Sequence, residues 1–241
     1  MHRFAMKMIW ATALLWLCAA PLAAQQAQPP RVSIVSFGLW DAQKVFQLEA
    51  TRGAAILARD LAADGRVTVR ANNLQSAGAT AATLRDALLA TARTMDAERD
   101  ILLLVLTSHG SPDGIAVKTG AKVRLISPQR LGELLAATGI KRKVVIVSSC
   151  YSGIFADALA DAQTLVITAA DATHPSFGCT ATATWTYFGE AFFGHALRQT
   201  HSLGKAFALA RAEVVKRERA QGFDPSNPQM KGGEAVLQLL Q

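Results

Sequence analysis

Two residues of this 241-residue sequence have the type and the setting for covalent acyl transfer: His109 and Cys150. His109 follows the unbroken apolar run 101–106 (ILLLVL) within Ser108-His109-Gly110, and Cys150 follows the run 144–147 (VVIV) within Ser148-Ser149-Cys150. A cysteine thiolate is the nucleophile of such chemistry, and an imidazole takes its proton and later protonates the leaving amine. An imidazolium nearby and a helix beginning just after Cys150 would both favour the thiolate. Gly110, Ser149, Ser152 and Gly153 leave room for a substrate backbone to come close. The backbone N–H groups of Gly110 and Cys150 are candidate oxyanion donors. A histidine or cysteine alone at a strand end is ordinarily structural. The pair, each closing a long apolar strand beside glycine, is what points to chemistry. Ser111, Ser148 and Ser149 are rival nucleophiles, and their places beside the pair suit them better as lining.

The elements that must position the pair follow from hydrophobic pattern. The β-branched run 32–37 reads as a first strand, and 67–69 as a small second one. Between them, apolar residues at helical spacing (Val45, Leu48, Ala55, Ile56, Ala58, Leu61) predict a helix over 42–63, stopped by Asp64-Gly65. Thr80 caps a further helix reaching residue 98, and Ser127-Pro128 starts another that ends at Gly139. A short helix at 156–161, a strand at 164–168 and helices at 185–198 and 202–220 complete the series. The tail from Gly222, with Pro225, Pro228 and a glycine pair, reads as loop up to Glu234. Runs such as 101–106 lack polar alternation, as a central strand covered on both faces requires. Strands alternating with helices predict one mostly parallel sheet between helices. In such sheets ligands bind beyond the carboxyl ends of the strands, which selects Gly38 and Trp40, His109, Cys150 and Ala170-Asp171.

Composition bounds the rest. Residues 1–24 resemble a secretory signal, with Arg3 and Lys7, an apolar stretch 9–18 and a small-residue zone at 21–24. Cleavage is expected after Ala24, with 25–30 as a flexible linker and 31–241 as the working domain, exported to the periplasm or beyond. An uncleaved segment would instead act as a membrane anchor, although the apolar run is short for that. Removing Arg3 and Lys7 takes two charges off a formal balance of +7. The remaining basic residues are scattered apart from Lys141-Arg142-Lys143, a solvated loop rather than a nucleic-acid stripe. The histidine spacing fits no metal motif, and no phosphate loop, dinucleotide fingerprint or GxSxG elbow occurs. No metal or cofactor is expected. After cleavage Cys150 and Cys179 remain, so Cys179 is either an inert thiol or a redox partner of Cys150.

The blocks LLLVLTSHGSPDG, VVIVSSCYSG and LVITAADATHPSFGC, in that order, resemble the legumain-like peptidases of family C13, particularly short bacterial members. That resemblance implies a caspase-like three-layer fold, a peptide or protein substrate, His109 as catalytic histidine and Cys150 as nucleophile. It also implies a substrate pocket in which Lys44, Ser148, Ser176 and Glu190 are candidates. Legumains proper carry Glu where this chain has Ser148, which sets the chain apart from the asparagine-specific pattern. Glu190 either recognises substrate or caps the helix it opens. Two classes of function follow: an endopeptidase or related transamidase, and a catalytically silent domain binding peptides in the same cleft.

Overall fold

A computed structural model of the chain describes residue 2 and residues 29–240. The expected signal segment, His2 apart, and residues 25–28 of the linker lie outside the described residues. Strand β4 (Ile101–Thr107) runs parallel between β1 (Val32–Gly38) and β8 (Arg142–Ser148), and every residue of β1 and β4 is buried. Beyond β8 lie the parallel β9 (Thr164–Thr168) and the antiparallel β10 (Gln229–Lys231). Beyond β1 lie the parallel β2 (Val67–Asn73) and the antiparallel β3 (Ser76–Ala77).

Alternate strand residues feed two separate cores, as a pleat demands. Ile34, Leu103, Val105, Ile146 and Ile167 pack with Leu57 of α1 (Lys44–Asp60) and Ala206 of α6 (Leu203–Ala220). Val35, Leu104, Leu106, Val145 and Val147 pack with Leu88 of α2 (Ala81–Ala92), Leu131 of α3 (Pro128–Ala136) and Phe155 of α4 (Gly153–Leu159). Helices thus cover both faces of a mostly parallel sheet, the three-layer α/β sandwich expected. Capping follows the residue types: Thr80 forms a capping box with Thr83, and Ser127 and Ser202 accept from the backbone three residues on. Among the described residues no helix is long and apolar enough to cross a membrane.

Beyond shifted bounds, such as α2 ending at Ala92 rather than 98 and α4 starting at Gly153 rather than 156, four details depart from the pattern reading. The buried face of α1 is a ladder of pairs (Val45/Phe46, Glu49/Ala50, Gly53/Ala54, Leu57/Ala58), with Leu48, Ala55 and Ile56 off it. Small residues and a carboxyl sit where the helix lies closest to the sheet, so of the expected apolar residues Val45 and Ala58 fall on the buried face and Ile56 and Leu61 pack at the margin of the core. The helix expected over 185–198 is instead an α turn, α5 (Tyr187–Gly189), a π turn (Glu190–His195) and a 3-10 turn (Ala196–Arg198). The wider π turn buries Phe192 and Phe193 together, with Phe188 stacked on Phe192 at 5.5 Å. A hairpin sheet follows His109, made of β5 (Gly110–Ser111), β6 (Gly114–Thr119) and β7 (Lys122–Ile126). The fourth departure is β10, a strand inside the tail read as loop. The basic trio is occupied in joining elements: Lys141 pairs with Glu98, Arg142 reaches the Arg99 carbonyl, and Lys143 the Ile140 carbonyl.

Candidate active site

Strand register brings the pair to one edge. Thr107 of β4 is opposite Ser148 of β8, and Ser108 N–H donates to the Ser148 carbonyl at 3.2 Å. His109 and Cys150 are the second residues past that level on adjacent strands. Their backbones converge at Gly110, where a Cβ would stand 2.2 Å from the Cys150 carbonyl oxygen and 2.9 Å from Ser149 Oγ. Only glycine fits there. The bond from Ala116 N–H to the His109 carbonyl makes Gly110 and Ile115 a non-hydrogen-bonded pair of the hairpin. The Gly110 N–H is therefore not spent in the ladder.

Cys150 sits at a sharp turn. Tyr151 adopts φ +56°, an uncommon conformation for a residue with a side chain, and its N–H donates to the His174 carbonyl. The turn points Sγ at the segment after β9, where Ser176 N–H lies 3.3 Å and Ser176 Oγ 3.8 Å away. Helix α4 begins three residues later, at Gly153, whose bare Cα lets Asp171 pack within 2.7 Å of a Cβ position. Asp171 fixes this loop in turn. Its carboxylate accepts from Thr173 N–H, His174 and Asn227. Burial alone would raise its pKa, and those donors outweigh burial and hold it at about 2.

His109 is held from the loop after β1 and from the first turn of α1. Trp40 and Phe46 present their rings edge-on to the imidazole, with centroids at 4.6 and 5.0 Å. Burial lowers the His109 pKa, which favours the neutral ring. Its Nε2 bonds Gln43 Oε1, while Gln43 Nε2 donates to the Cys179 carbonyl. A carbonyl can only accept, so the Gln43 amide has one orientation, and its oxygen must accept from the imidazole. Nε2 therefore carries the ring proton, and Nδ1 is left with the lone pair of a base.

The remaining candidates divide. Ser176 lies against Cys150 Sγ. Lys44 is the first residue of α1 and, with Asp41, Gln47, Asn73 and Gln75, lines a cavity of about 590 Å³ beside Gln43. Ser148 is 1% exposed, with its hydroxyl 3.2 Å from Thr186 Oγ, so it forms floor rather than pocket wall. Glu190 pairs with Arg217 at 2.5 Å, and Arg217 also stacks on Tyr187. Its charge is thus already engaged. Cys150 and Cys179 are free thiols, and burial, then the nearby Cys150, raise the Cys179 pKa. Among the described residues no group of three His, Cys, Asp or Glu could hold a metal. His174 and His195 are engaged with Asp171 and Glu213. Pattern reading missed Gln43 and Phe46. A polar residue just before a helix is too common a feature to have marked the first.

Comparison with known proteins adds three findings. Residues 83–237 match the model of the peptidase C13 family. No curated protein matches the sequence. Among solved structures, caspase-1 from Spodoptera frugiperda superposes with a TM-score of 0.59 at 14% identity, covering 84% of this chain and 86% of that one. The structure of pro-sf-caspase-1 gives 0.55 at 14% identity, covering 86% and 92%. The likeness to both is one of fold, and that fold is caspase-like.

Proposed function

The chain belongs to the peptidase C13 family, which makes it a cysteine-type peptidase, and we propose that it cleaves peptide bonds with Cys150 as nucleophile and His109 as acid–base. The observation that carries this reading is the register of β4 and β8. It sets the two residues side by side past one sheet edge, with Gly110 against the Cys150 carbonyl. His109 Nδ1 takes the Sγ proton, and the sulfur attacks the scissile carbonyl carbon as the C=O pair moves onto oxygen. The N–H groups of Gly110 and Cys150 receive that oxyanion. Collapse expels the amine, protonated by His109, and leaves a thioester. Water then gives a proton to His109 and attacks the thioester, releasing the carboxyl product and the thiolate. The substrate side chain enters the cavity at Lys44, with Ser176 at the sulfur end. The Lys44 ammonium, without a carboxylate partner among the described residues and set among the amides of Asn73 and Gln75, suits a polar or acidic group.

The signal-like pattern of residues 1–24 supports action outside the cytoplasm. The test uses protein recovered from outside the cytoplasm, with a mature N-terminus expected at Gln25, and compares it with Cys150→Ala on a peptide library under reducing conditions. Wild type is expected to cleave and the variant, equally folded, to leave every peptide intact. A wild type that cuts nothing and forms no adduct with a thiol-directed acyl probe would leave peptide binding as the function of the cleft.

A further inference from the structure

Beneath the pair lies a carboxyl that the reaction does not use. Glu49 of α1 is 0% exposed, and no cation pairs with it among the described residues. A buried carboxyl without a cation must recover its lost hydration through hydrogen bonds. Thr107 Oγ–H donates to Oε1 at 2.9 Å, while Thr186 N–H and Oγ–H donate to Oε2 at 2.9 and 2.7 Å. Thr186 has then spent its only hydroxyl proton. Ser148 Oγ, 3.2 Å away, must therefore be the donor to Thr186 Oγ, which also accepts from Gly189 N–H at 2.9 Å. Burial raises the Glu49 pKa, and the hydrogen bonds from Thr107 and Thr186 oppose it, while Ser148 and Gly189 reach the carboxyl only through Thr186 Oγ. A Cβ on residue 189 would stand 2.0 Å from Glu49 Oε2, so the approach requires glycine there.

The partners are not arbitrary. Thr107 and Ser148 are register partners, two residues before His109 and Cys150 respectively. Thr186 leads into Tyr187, whose N–H donates to the Phe177 carbonyl, next to the Ser176 that touches Cys150 Sγ. We propose that Glu49 is a positioning residue of the peptidase reaction, its carboxyl clamping the ends of β4 and β8 through Thr107, Thr186 and Ser148 and so fixing where His109 and Cys150 stand relative to each other. It touches no reacting atom, and its role rests on the Cys150–His109 reading above.

The test compares Glu49→Gln and Thr107→Val, both close to isosteric, with Thr107→Ser, which keeps the donor. Glu49→Gln turns an NH₂ toward a cluster made wholly of donors, and Thr107→Val removes one donor from it. The readouts are kcat and KM on a cleaved peptide, the rate at which iodoacetamide alkylates Cys150 mapped by mass, and the thermal midpoint. Both disruptive variants are expected to lose about tenfold or more in kcat and in alkylation rate, with KM little changed, while Thr107→Ser recovers both rates. Unchanged rates in both disruptive variants overturn the proposal, as do losses that Thr107→Ser shares. Should Glu49→Gln fail to fold, the Thr107 pair decides alone. Peptide cleavage surviving in Cys150→Ala would instead overturn the nucleophile assignment, an outcome distinct from any of these.

Discussion

At the scale of single residues, the imidazole is governed by two separable influences. Burial lowers the His109 pKa from its ordinary 6.5, and Gln43 decides which nitrogen holds the proton. With the neutral ring as the base of the reaction proposed above, activity present at neutral pH is expected to be lost as the pH falls and the ring becomes protonated. The acid limb of kcat/KM is accordingly expected below pH 6.5. Gln43→Leu removes the acceptor and leaves the aromatic enclosure of Trp40 and Phe46. It is expected to lower kcat by about a hundredfold through loss of ring orientation, with the acid limb still below the ordinary value. A pH–rate profile of both proteins checks this, and a limb at or above the ordinary value in the wild type would contradict it. The placement of the two residues at one end of the sheet was legible in the sequence because each lies three positions beyond the last residue of an apolar run. Gln43 was not legible, since its orientation depends on a carbonyl 136 positions away.

At the scale of elements, the site depends on how closely two strand extensions approach. Gly110→Ala would set a methyl 2.2 Å from the Cys150 carbonyl oxygen. Backbone rather than a mobile side chain opposes it, so the strands must part. A stability loss of about 1–3 kcal/mol is expected, together with a fall of about a hundredfold or more in kcat/KM. Denaturant unfolding and peptide turnover measure the two separately, and an active variant would show that the approach is not needed. The parallel core strands could be read from sequence because burial on both faces leaves an unbroken apolar run. The hairpin after His109 could not: β7 is exposed from Lys122 to Leu125, and Lys118 interrupts β6. Strand β10 was hidden between Pro228 and a glycine pair, because three residues pairing with one edge need no hydrophobic pattern. The π turn was read as an ordinary helix, since its extra residue per turn changes which phenylalanines face the core but not the composition.

At the scale of the whole molecule, stability and chemistry occupy opposite edges of one sheet. Where β1 and β4 begin, Asp100 is 1% exposed and accepts from Arg31 N–H and its guanidinium and from Asp96 N–H. Burial would raise its pKa, but these donors and the Arg31 charge prevail and hold it at about 2. A carboxylate held low stabilises the fold fully above its ordinary 3.8, and that contribution fades as the pH falls toward 2. Asp100→Asn is expected to cost about 1–3 kcal/mol at neutral pH, to flatten the acid-unfolding curve in that window, and to leave kcat unchanged. Urea titrations across the pH range test this, and an equal loss at every pH would refute it. The reactive edge obeys a different calendar. The strands bearing His109 and Cys150 are made early, but the loop that meets the sulfur is tied through Asp171 to Ser226 and Asn227, just ahead of β10. The segment just ahead of β10 thus secures the wall of the candidate site, after His109 and Cys150 have been synthesised. On the proposed reading, the nascent chain carries Cys150 before the wall of its cleft can be tied down.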